Sequence, residues 1–339
     1  MRMLLKQVAE FLARTESSSV SRKWYVMLDY MFAKRLWDLP ELLLLSLFPV
    51  LIVGLVGVPS LPAQSAFDDV TDSVGLTGLG GGVAAWGDYN GDGWVDLYVS
   101  GQLWRNEKGK RFDKVDVGFS GPGIWGDFDN DGLLDLFCWS GKGKVFRNLG
   151  GESFEDMGDA FPDLPTQVSL GATWGDFNSD GFLDIYVGGY EVWPSQEFPD
   201  VIYLNEGGKR FVEHWKQQTI RRARGITAAD YDRDGDLDIY VSNYRLQPNS
   251  LLQNDGQANF LNVAKELGVD GDGELGAWGH TIGSAWGDFD NDGNLDLFVG
   301  NFSHPPAYQD RPAFLKNLGE AQAFKFSDQS KLAGLHWQE

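Results

Sequence analysis

One nine-residue block of acidic residues and glycine recurs five times between residues 88 and 296, and it limits the possible folds more than any other feature. The copies begin at Asp88, Asp127, Asp176, Asp230 and Asp288, so successive copies start 39, 49, 54 and 58 residues apart. Repeats of roughly 40 to 50 residues are typical of the four-stranded blades of a β-propeller, and loop insertions lengthen some intervals. The repeat therefore predicts one architecture for this whole part of the chain.

Each repeat contains four candidate strands around its block. A run of small residues and tryptophan, such as residues 83–86, precedes the block, and an alternating run, such as residues 97–99, follows it. Third candidates end in asparagine, at Asn106, Asn148, Asn205, Asn254 and Asn317. Fourth candidates begin after a glycine-containing turn, at Phe112, Phe154, Phe211, Phe260 and Phe326. We expect an all-β protein, a β-propeller of four-stranded antiparallel blades with Asp-rich calcium loops and five recognisable repeats.

The residue types within each block are those that bind hard cations. Counted from its first residue, the block has Asp or Asn at positions 1, 3 and 5, Gly at position 6 and Asp at position 9. Side-chain oxygens at positions 1, 3 and 5 of a tight turn converge on one point, and Gly at position 6 lets the carbonyl of position 7 face the ion. The Glu that closes an EF-hand at position 12 is replaced by an apolar residue or cysteine, so we assign the closing carboxylate to position 9.

These blocks predict about five Ca²⁺ ions, one for each repeat. The predicted ligands, with the backbone carbonyl at position 7, are Asp88, Asn90, Asp92, Trp94, Asp96; Asp127, Asp129, Asp131, Leu133, Asp135; Asp176, Asn178, Asp180, Phe182, Asp184; Asp230, Asp232, Asp234, Asp236, Asp238; and Asp288, Asp290, Asp292, Asn294, Asp296. Clustered carboxylates repel one another without a cation, so we expect the fold to depend on calcium. A solvated Asx turn explains one such loop but not five in the same register.

Composition supports a folded, cation-binding protein. The formal net charge is -21, from 28 Lys plus Arg against 49 Asp plus Glu, which excludes nucleic acid as a partner. Five calcium ions would bring that charge to about -11. The hydrophobic content of 42% argues against a disordered acidic chain.

Two further residue types have predicted structural roles. The tryptophans that precede four of the blocks, Trp86, Trp125, Trp174 and Trp286, are expected to pack between blades. Cys138 is the single cysteine and lies in an apolar run, so we expect a buried thiol.

The N-terminal part of the chain resembles a targeting segment. Residues 1–38 form a basic leader that keeps the N-terminus cytoplasmic, and a start at Met31 would give a more ordinary leader. Residues 39–65 contain a long uncharged apolar run and are predicted to be a signal peptide cleaved after Ser65 or an uncleaved signal-anchor helix. Either alternative places residues 66–339, the predicted propeller domain, outside the cytoplasm, as a secreted, periplasmic or membrane-anchored protein.

The repeats resemble the FG-GAP/VCBS family, the calcium-loop β-propellers typified by integrin α-subunit heads, over residues 67 to 334. The lead-in at residues 67–70 and the Trp86-Gly-Asp88 sequence most resemble ASPIC/UnbV-type secreted proteins. Family rings commonly have seven blades, so the five repeats form either a five-bladed ring or part of a seven-bladed one. The tail that defines the ASPIC/UnbV group is missing from this sequence, and its activity is therefore not carried over.

Sequence motifs favour a binding protein over an enzyme. The four histidines form no HExxH motif, and neither a GxSxG motif nor a P-loop occurs. We expect an interaction or adhesion scaffold with a protein or glycan partner at the cell exterior, and membrane contact only through the N-terminal segment. The alternative is a carbohydrate-binding propeller or part of a polysaccharide-active enzyme, with exposed aromatics such as Trp193 or Tyr308 stacking on sugars. Arg221, Arg222 and Arg224 are interpreted as a solvated loop, with an anion or processing site as the alternative.

Overall fold

The computed structural model describes residues 68–139, 143–162, 169–271, 278–302 and 311–335. The predicted leader at residues 1–38 and the predicted signal or anchor at residues 39–65 lie outside these ranges, as do Tyr308 and Phe67. Within the described ranges, no helix is long and apolar enough to span a bilayer.

Five four-stranded antiparallel sheets form the blades of a five-bladed β-propeller. Blade 1 comprises β1 (Ala84–Gly87), β2 (Asp96–Val99), β3 (Gln102–Asn106) and β4 (Phe112–Val115). Blade 2 comprises β5 (Gly123–Gly126), β6 (Asp135–Cys138), β7 (Lys144–Asn148) and β8 (Phe154–Asp156). Blade 3 comprises β9 (Ala172–Gly175), β10 (Asp184–Val187), β13 (Val201–Asn205) and β14 (Phe211–Lys216), with the hairpin β11 (Glu191–Val192) and β12 (Gln196–Glu197) inserted.

The last two blades have the same strand order. Blade 4 comprises β15 (Ala223–Ala229), β16 (Asp238–Asn243), β17 (Ser250–Asn254) and β18 (Phe260–Asn262). Blade 5 comprises β19 (Thr281–Gly287), β20 (Asp296–Asn301), β21 (Ala313–Asn317) and β22 (Phe326–Asp328). Helical structure in the described residues is limited to α1 (Ala264–Leu267) and the 3₁₀ turns Gly158–Ala160 and Glu320–Gln322.

The strand markers read from the sequence are confirmed. Every third strand of a blade ends at its predicted asparagine, and every fourth strand begins at its predicted phenylalanine. The lead-in at residues 68–70 differs, because these residues form no strand although they repeat a fourth-strand pattern. The backbone carbonyl of Val74, just after them, accepts a 2.7 Å hydrogen bond from the N–H of Phe112 at the start of β4.

The core lies between blades, and the second strand of each blade is its most buried element. All residues of β2, β6, β10 and β16 are buried. A strand covered on both faces by neighbouring sheets reads as a continuous apolar run, as in Leu136-Phe137-Cys138. Cys138 is 2% exposed, which confirms its predicted burial.

Three of the four tryptophans that precede acidic blocks pack between blades, as predicted. Trp125, Trp174 and Trp286 each contact an aromatic residue in the second strand of the preceding blade, at centroid distances of 6.0 to 6.2 Å. Trp86 of blade 1 differs, because its side chain is 58% exposed. Each acidic block forms the connection between the first and second strands of its blade, so the strand pairs hold all five blocks in equivalent positions.

Candidate metal centre

The backbone of each acidic loop reverses direction at position 6. The glycines there have φ angles between 85° and 97°, in a region that side chains with a Cβ atom rarely enter. These residues are Gly93, Gly132, Gly181, Gly235 and Gly293. Position 4 is also left-handed, with φ of 58° at Asn130, Ser179, Arg233 and Asn291 and 69° at Gly91. Sequence reasoning missed position 4, although Gly or Asn in three of the five loops was a usable signal.

The aspartate at position 1 folds back over the centre of its loop. In loop 2, Asp127 Oδ1 accepts a hydrogen bond from the N–H of Asp131 at 3.0 Å, and Oδ2 accepts one from the N–H of Gly132 at 2.9 Å. Loops 1, 3 and 5 repeat both bonds. These bonds hold the position 1 carboxylate against the backbone N–H groups of positions 5 and 6.

Carboxylates converge most closely in three of the five loops. The described residues contain three acidic triads whose oxygen atoms all lie within 4.8 Å of one another: Asp127, Asp129 and Asp135; Asp230, Asp232 and Asp234; and Asp288, Asp290 and Asp296. Every triad comes from one predicted loop and includes positions 1 and 3. The sequence prediction therefore selected residues that the fold brings together in loops 2, 4 and 5.

Loops 1 and 3 have asparagine at position 3 and form no such carboxylate triad among the described residues. The amide of Asn90 donates to Asp92 Oδ2 at 3.3 Å, and the amide of Asn178 donates to Asp180 Oδ2 at 3.0 Å. These amide donors partly satisfy the position 5 carboxylate without an added cation. Loops 1 and 3 thus contain three aspartates each, whereas loops 2, 4 and 5 contain at least four.

A side chain from the third strand contacts the position 3 aspartate in each triad loop. Arg147 Nε lies 2.7 Å from Asp129 Oδ2, and Gln253 Nε2 donates to Asp232 Oδ2 at 2.7 Å. Lys316 Nζ contacts Asp290 and lies 3.0 Å from Asp292 Oδ2. All three residues directly precede the asparagine that ends the third strand. Sequence reasoning missed these partners, and their fixed offset from that asparagine was the available signal.

The position 9 aspartate connects two parts of its blade. Its two oxygens accept the N–H of position 2 and the N–H of the third-strand asparagine in all five blades. In blade 2, Asp135 accepts from Phe128 at 3.1 Å and from Asn148 at 2.7 Å. Each carboxylate oxygen has a second lone pair, so these bonds leave capacity for a cation. Asp135 and Asp296 accordingly also belong to triads.

Burial disfavours the charged form of the position 9 carboxylates. Desolvation raises the pKa of Asp96 to about 6, of Asp135 and Asp184 to about 7, and of Asp238 to about 8, against the backbone hydrogen bonds that lower it. The pKa of Asp296 is raised for the same first reason. Neighbouring loop aspartates add to the rise in each case. The negative charge of a position 9 carboxylate is therefore costly unless a nearby cation compensates it.

Several side-chain oxygens of loops 2, 4 and 5 are buried and accept no hydrogen bond. They are Asp129 Oδ1, Asp230 Oδ1, Asp232 Oδ1 and Asn294 Oδ1. A buried acceptor without a partner is costly, and a cation is one group that would satisfy several such acceptors together. The available ligands are all oxygens, mostly carboxylate, which suit a hard cation such as Ca²⁺ and not a soft metal. The loop residues thus fit the predicted ion.

The position 7 residues are held by hydrogen bonds from their own N–H groups. The N–H groups of Trp94, Leu133, Phe182, Asp236 and Asn294 each donate to the position 5 aspartate at 2.9 to 3.0 Å. This repeated bond places position 7 beside the loop centre. Coordination by its carbonyl stays a prediction.

The arginine run and the exposed tryptophan lie in one region, around the blade 3 insertion. Arg222 pairs with Glu191 and Glu197, and Arg221 donates to the carbonyls of Pro248 and Asn249. The guanidinium of Arg245 lies 4.7 Å from the ring centroid of Trp193. The run is therefore built into the fold by specific contacts, in contrast to the solvated loop that the sequence predicted.

Comparison with known proteins gives family-level findings for parts of the chain. The FG-GAP-like repeat model matches residues 127–187 and 230–299. Cartilage acidic protein 1 of Xenopus tropicalis is 34% identical over 82 residues, which is 24% of this chain and 12% of the relative. The aligned part of this chain thus corresponds to a small portion of that protein.

Solved structures with a similar course of the chain share little sequence. A lectin of Agrocybe aegerita that recognises non-reducing terminal N-acetylglucosamine has a TM-score of 0.48 and 16% identity, covering 72% of this chain and 64% of that one. The Vibrio cholerae biofilm matrix protein Bap1 has a TM-score of 0.37 and 15% identity, covering 73% of this chain and 38% of that one.

Proposed function

We propose that this chain, which contains FG-GAP-like repeats, is an extracytoplasmic calcium-binding β-propeller that serves as an interaction or adhesion scaffold. Calcium has a structural role in the proposal and stabilises the loops that join the first and second strands. The observation that carries it is the set of three aspartate triads, two of which contain buried oxygens that lack hydrogen bonds. The match to cartilage acidic protein 1 supports a location outside the cytoplasm.

Bound calcium would supply positive charge to oxygens that the protein alone leaves uncompensated. In loop 2, Asp127, Asp129 and Asp135 would hold the ion, and Arg147 would keep one oxygen of Asp129 in place. In loop 4, Asp230, Asp232 and Asp234 would do so. Ca²⁺ accepts six to eight oxygens in flexible geometry, whereas Mg²⁺ requires a near-ideal octahedron. We therefore expect calcium to be preferred.

Calorimetric titration of the full chain with CaCl₂ tests the metal assignment. We expect several sites with dissociation constants of roughly 0.1 to 1 mM, the range of extracellular calcium modules, and much weaker binding of MgCl₂. Asp129→Ala should remove one site, because it leaves loop 2 without a side-chain oxygen at position 3. Asp159→Ala changes an exposed carboxylate of the same blade outside the loop and should leave the titration unchanged. Equal calcium binding by the Asp129→Ala variant would contradict the assignment to this loop.

The exposure of Trp193 is the observation that favours carbohydrate binding as a second function. Its side chain is 66% exposed on the blade 3 insertion, and one guanidinium, that of Arg245, packs on the ring. An exposed indole can stack on a sugar ring. A glycan array probed in calcium would support this function if binding were lost in Trp193→Ala and retained in Leu261→Ala, which alters a 68% exposed residue of blade 4. No binding to any glycan would leave the scaffold proposal alone.

A further inference from the structure

The asparagine that ends the third strand of a blade contacts the acidic loops of two blades. In blade 3, the Nδ2 atom of Asn205 donates to the carbonyl of Phe128, at position 2 of loop 2, at 2.7 Å. The same amide donates to the carbonyl of Leu183, at position 8 of loop 3, at 3.1 Å. The backbone N–H of Asn205 donates to Asp184, at position 9 of loop 3, at 2.8 Å. Asn205 thus holds the start of one loop and the end of the next.

The same arrangement occurs at all four junctions between consecutive blades. Asn148, Asn254 and Asn317 donate in the same way to the position 2 carbonyls of loops 1, 3 and 4, at 2.6 to 2.9 Å. Position 2 is also bonded to its own loop, because its backbone N–H donates to the position 9 aspartate, which accepts the backbone N–H of the asparagine as well. A continuous hydrogen-bonded chain therefore runs through all five loops.

A hairpin of the following blade lies against position 3 of loop 1 and of loop 2. Gly151 and Gly208, between the third and fourth strands of blades 2 and 3, have φ angles of 84° and 70°. A Cβ atom added to Gly151 would lie 2.8 Å from Asn90, and one added to Gly208 would lie 2.7 Å from Asp129. The N–H of each glycine donates to the Oδ1 atom of its own third-strand asparagine, at 2.7 and 2.8 Å. The asparagine therefore also holds the hairpin against the preceding loop.

Loops 2 and 3 are also connected directly. The side-chain amide of Asn130, at position 4 of loop 2, donates to the carbonyl of Gly181, at position 6 of loop 3, at 2.8 Å. The N–H of Gly181 in turn donates to Asp176, the position 1 aspartate of loop 3, at 2.9 Å. Asn130 itself lies between Asp129 and Asp131, two predicted ligands of loop 2. Predicted ligands of the two loops are thus joined through two intervening residues.

Ordering one of these loops should lower the entropic cost of ordering the other. A cation in loop 2 would fix the backbone around Asn130 and Phe128, which carry the bonds to blade 3. A second ion in loop 3 would then bind with a smaller loss of conformational entropy. Repulsion between two bound cations opposes this effect. However, loops 2 and 3 contain four and three aspartates, so a filled loop with its carboxylates ionised keeps a net negative charge that attracts the second cation.

We propose that the calcium sites of loops 2 and 3 are energetically coupled, so that an ion in either loop raises the affinity of the other. Asn130 and Asn205 are the positioning residues that connect the two sites, and neither is a predicted ligand. This coupling rests on the proposed calcium-binding function. Loop 3 forms no carboxylate triad among the described residues, so its occupancy at a given calcium concentration depends on whether loop 2 is filled. Coupling is reciprocal, so loop 3 in turn favours binding in loop 2.

Amide hydrogen exchange of the full chain, read by mass spectrometry of peptides that cover single loops, tests the coupling. Titration with CaCl₂ gives a calcium midpoint, the concentration of half-maximal protection, for each loop separately. Asp129→Ala should abolish calcium-dependent protection in loop 2 and raise the loop 3 midpoint at least about threefold. Asp180→Ala, in loop 3, should raise the loop 2 midpoint as well, because the coupling acts in both directions. Exchange of the unmutated loop at saturating CaCl₂ should match the wild type, because coupling changes affinity and not the bound structure.

Asn130→Gly tests the connection without removing a predicted ligand. Glycine suits the left-handed backbone of position 4, since Gly91 occupies this position in loop 1. Calcium-dependent protection should persist in both loops, and the loop 3 midpoint should rise about twofold to tenfold, the value of one hydrogen bond. Asn291→Gly makes the same change at position 4 of loop 5, where φ is also 58°, and should leave the midpoints of loops 2 and 3 unchanged.

The outcomes distinguish a failure of the coupling from a failure of the calcium assignment. Wild-type loops without any calcium-dependent protection would overturn both. Calcium-dependent protection with the same loop 3 midpoint in the wild type, Asp129→Ala and Asn130→Gly would leave calcium binding in place and overturn the coupling. A loop 3 midpoint that rises equally in Asn291→Gly, or loop 3 protection that is lost even at saturating CaCl₂, would also contradict it.

Discussion

Each blade buries the aspartate at loop position 9, which is at most 1% exposed and whose carboxylate accepts two backbone hydrogen bonds. Its neighbours at positions 1, 3 and 5 lie closer to solvent and carry most of the charge of the loop. The same residue thus joins the loop to the third strand and contributes to the triads in loops 2 and 5. Protonation of this aspartate should therefore change both the charge of the loop and the stability of the blade.

Without calcium, the protein should become more stable as the pH is lowered from 8 to 5. Burial raises the pKa of Asp135 and Asp184 to about 7, above the value of about 3.9 in an unfolded chain, so the folded state binds more protons in this range. Each such group then adds up to about 1.4 kcal/mol of unfolding free energy per pH unit of acidification. In saturating calcium the trend should reverse, because protons compete with the ion. Urea denaturation in EDTA and in CaCl₂ at pH 5 to 8 measures both slopes, and a loss of stability on acidification in EDTA would contradict the account.

Lys316 should compete with calcium for loop 5. Its ammonium contacts Asp290 and Asp292, where the cation is expected. Lys316→Gln should therefore raise the calcium affinity of loop 5 several-fold and lower the melting temperature in EDTA. Lys325→Gln, which changes an exposed lysine on the next strand connection, is the matched control and should alter neither quantity. An unchanged or weaker affinity in Lys316→Gln would show that the lysine does not occupy the cation position.

At the scale of the strand, the asparagine that ends the third strand links neighbouring blades. Asn205 is 2% exposed and donates to the carbonyl of Phe128 in blade 2, while its own Oδ1 accepts from Gly208. Asn106 makes the corresponding local bonds in blade 1 without the bond to a preceding blade. Asn106 and Asn205 therefore allow the contribution of one inter-blade hydrogen bond to stability to be compared within a single chain.

Asn205→Ala should destabilise the protein more than Asn106→Ala does. The first substitution leaves the buried carbonyl of Phe128 without a donor, and an unsatisfied buried group costs about 1 to 3 kcal/mol. That cost should be the difference between the two variants, because both lose the local bonds. Equilibrium denaturation of the two variants in calcium provides the test. Equal losses of unfolding free energy in the two variants would contradict a stabilising role for the hydrogen bond between Asn205 and Phe128.

The strands and the loops were readable from the sequence because each is marked by residues in a fixed local order. Gly at position 6 and the asparagine and phenylalanine at strand boundaries report local backbone requirements, which a single repeat already shows. The contacts between Lys316 and Asp290 and between Asn205 and Phe128 join residues 26 and 77 positions apart. Such pairs depend on how strands and blades align in space, so the local order of residues does not reveal them. The exposure of Trp86 was missed for the same reason, since Trp86 and the half-buried Trp125 are both followed by Gly-Asp in the sequence.

At the scale of the whole molecule, five acidic loops on one chain concentrate much of a formal net charge of -21. Self-repulsion of this size opposes the compact state unless counter-charge is bound. Because a ligand that binds only the folded state stabilises it by mass action, calcium should raise the stability of every blade that contains a filled loop.

Diffraction from crystals grown in CaCl₂, with anomalous difference maps collected at long wavelength, tests the calcium assignment most directly. We predict a peak within each acidic loop, surrounded by the side-chain oxygens of positions 1, 3 and 5, with the strongest peaks in loops 2 and 4. Loop 5 should show a weaker peak unless Lys316 has moved away from Asp290. Ordered water alone in all five loops, in crystals soaked in millimolar calcium, would contradict the account.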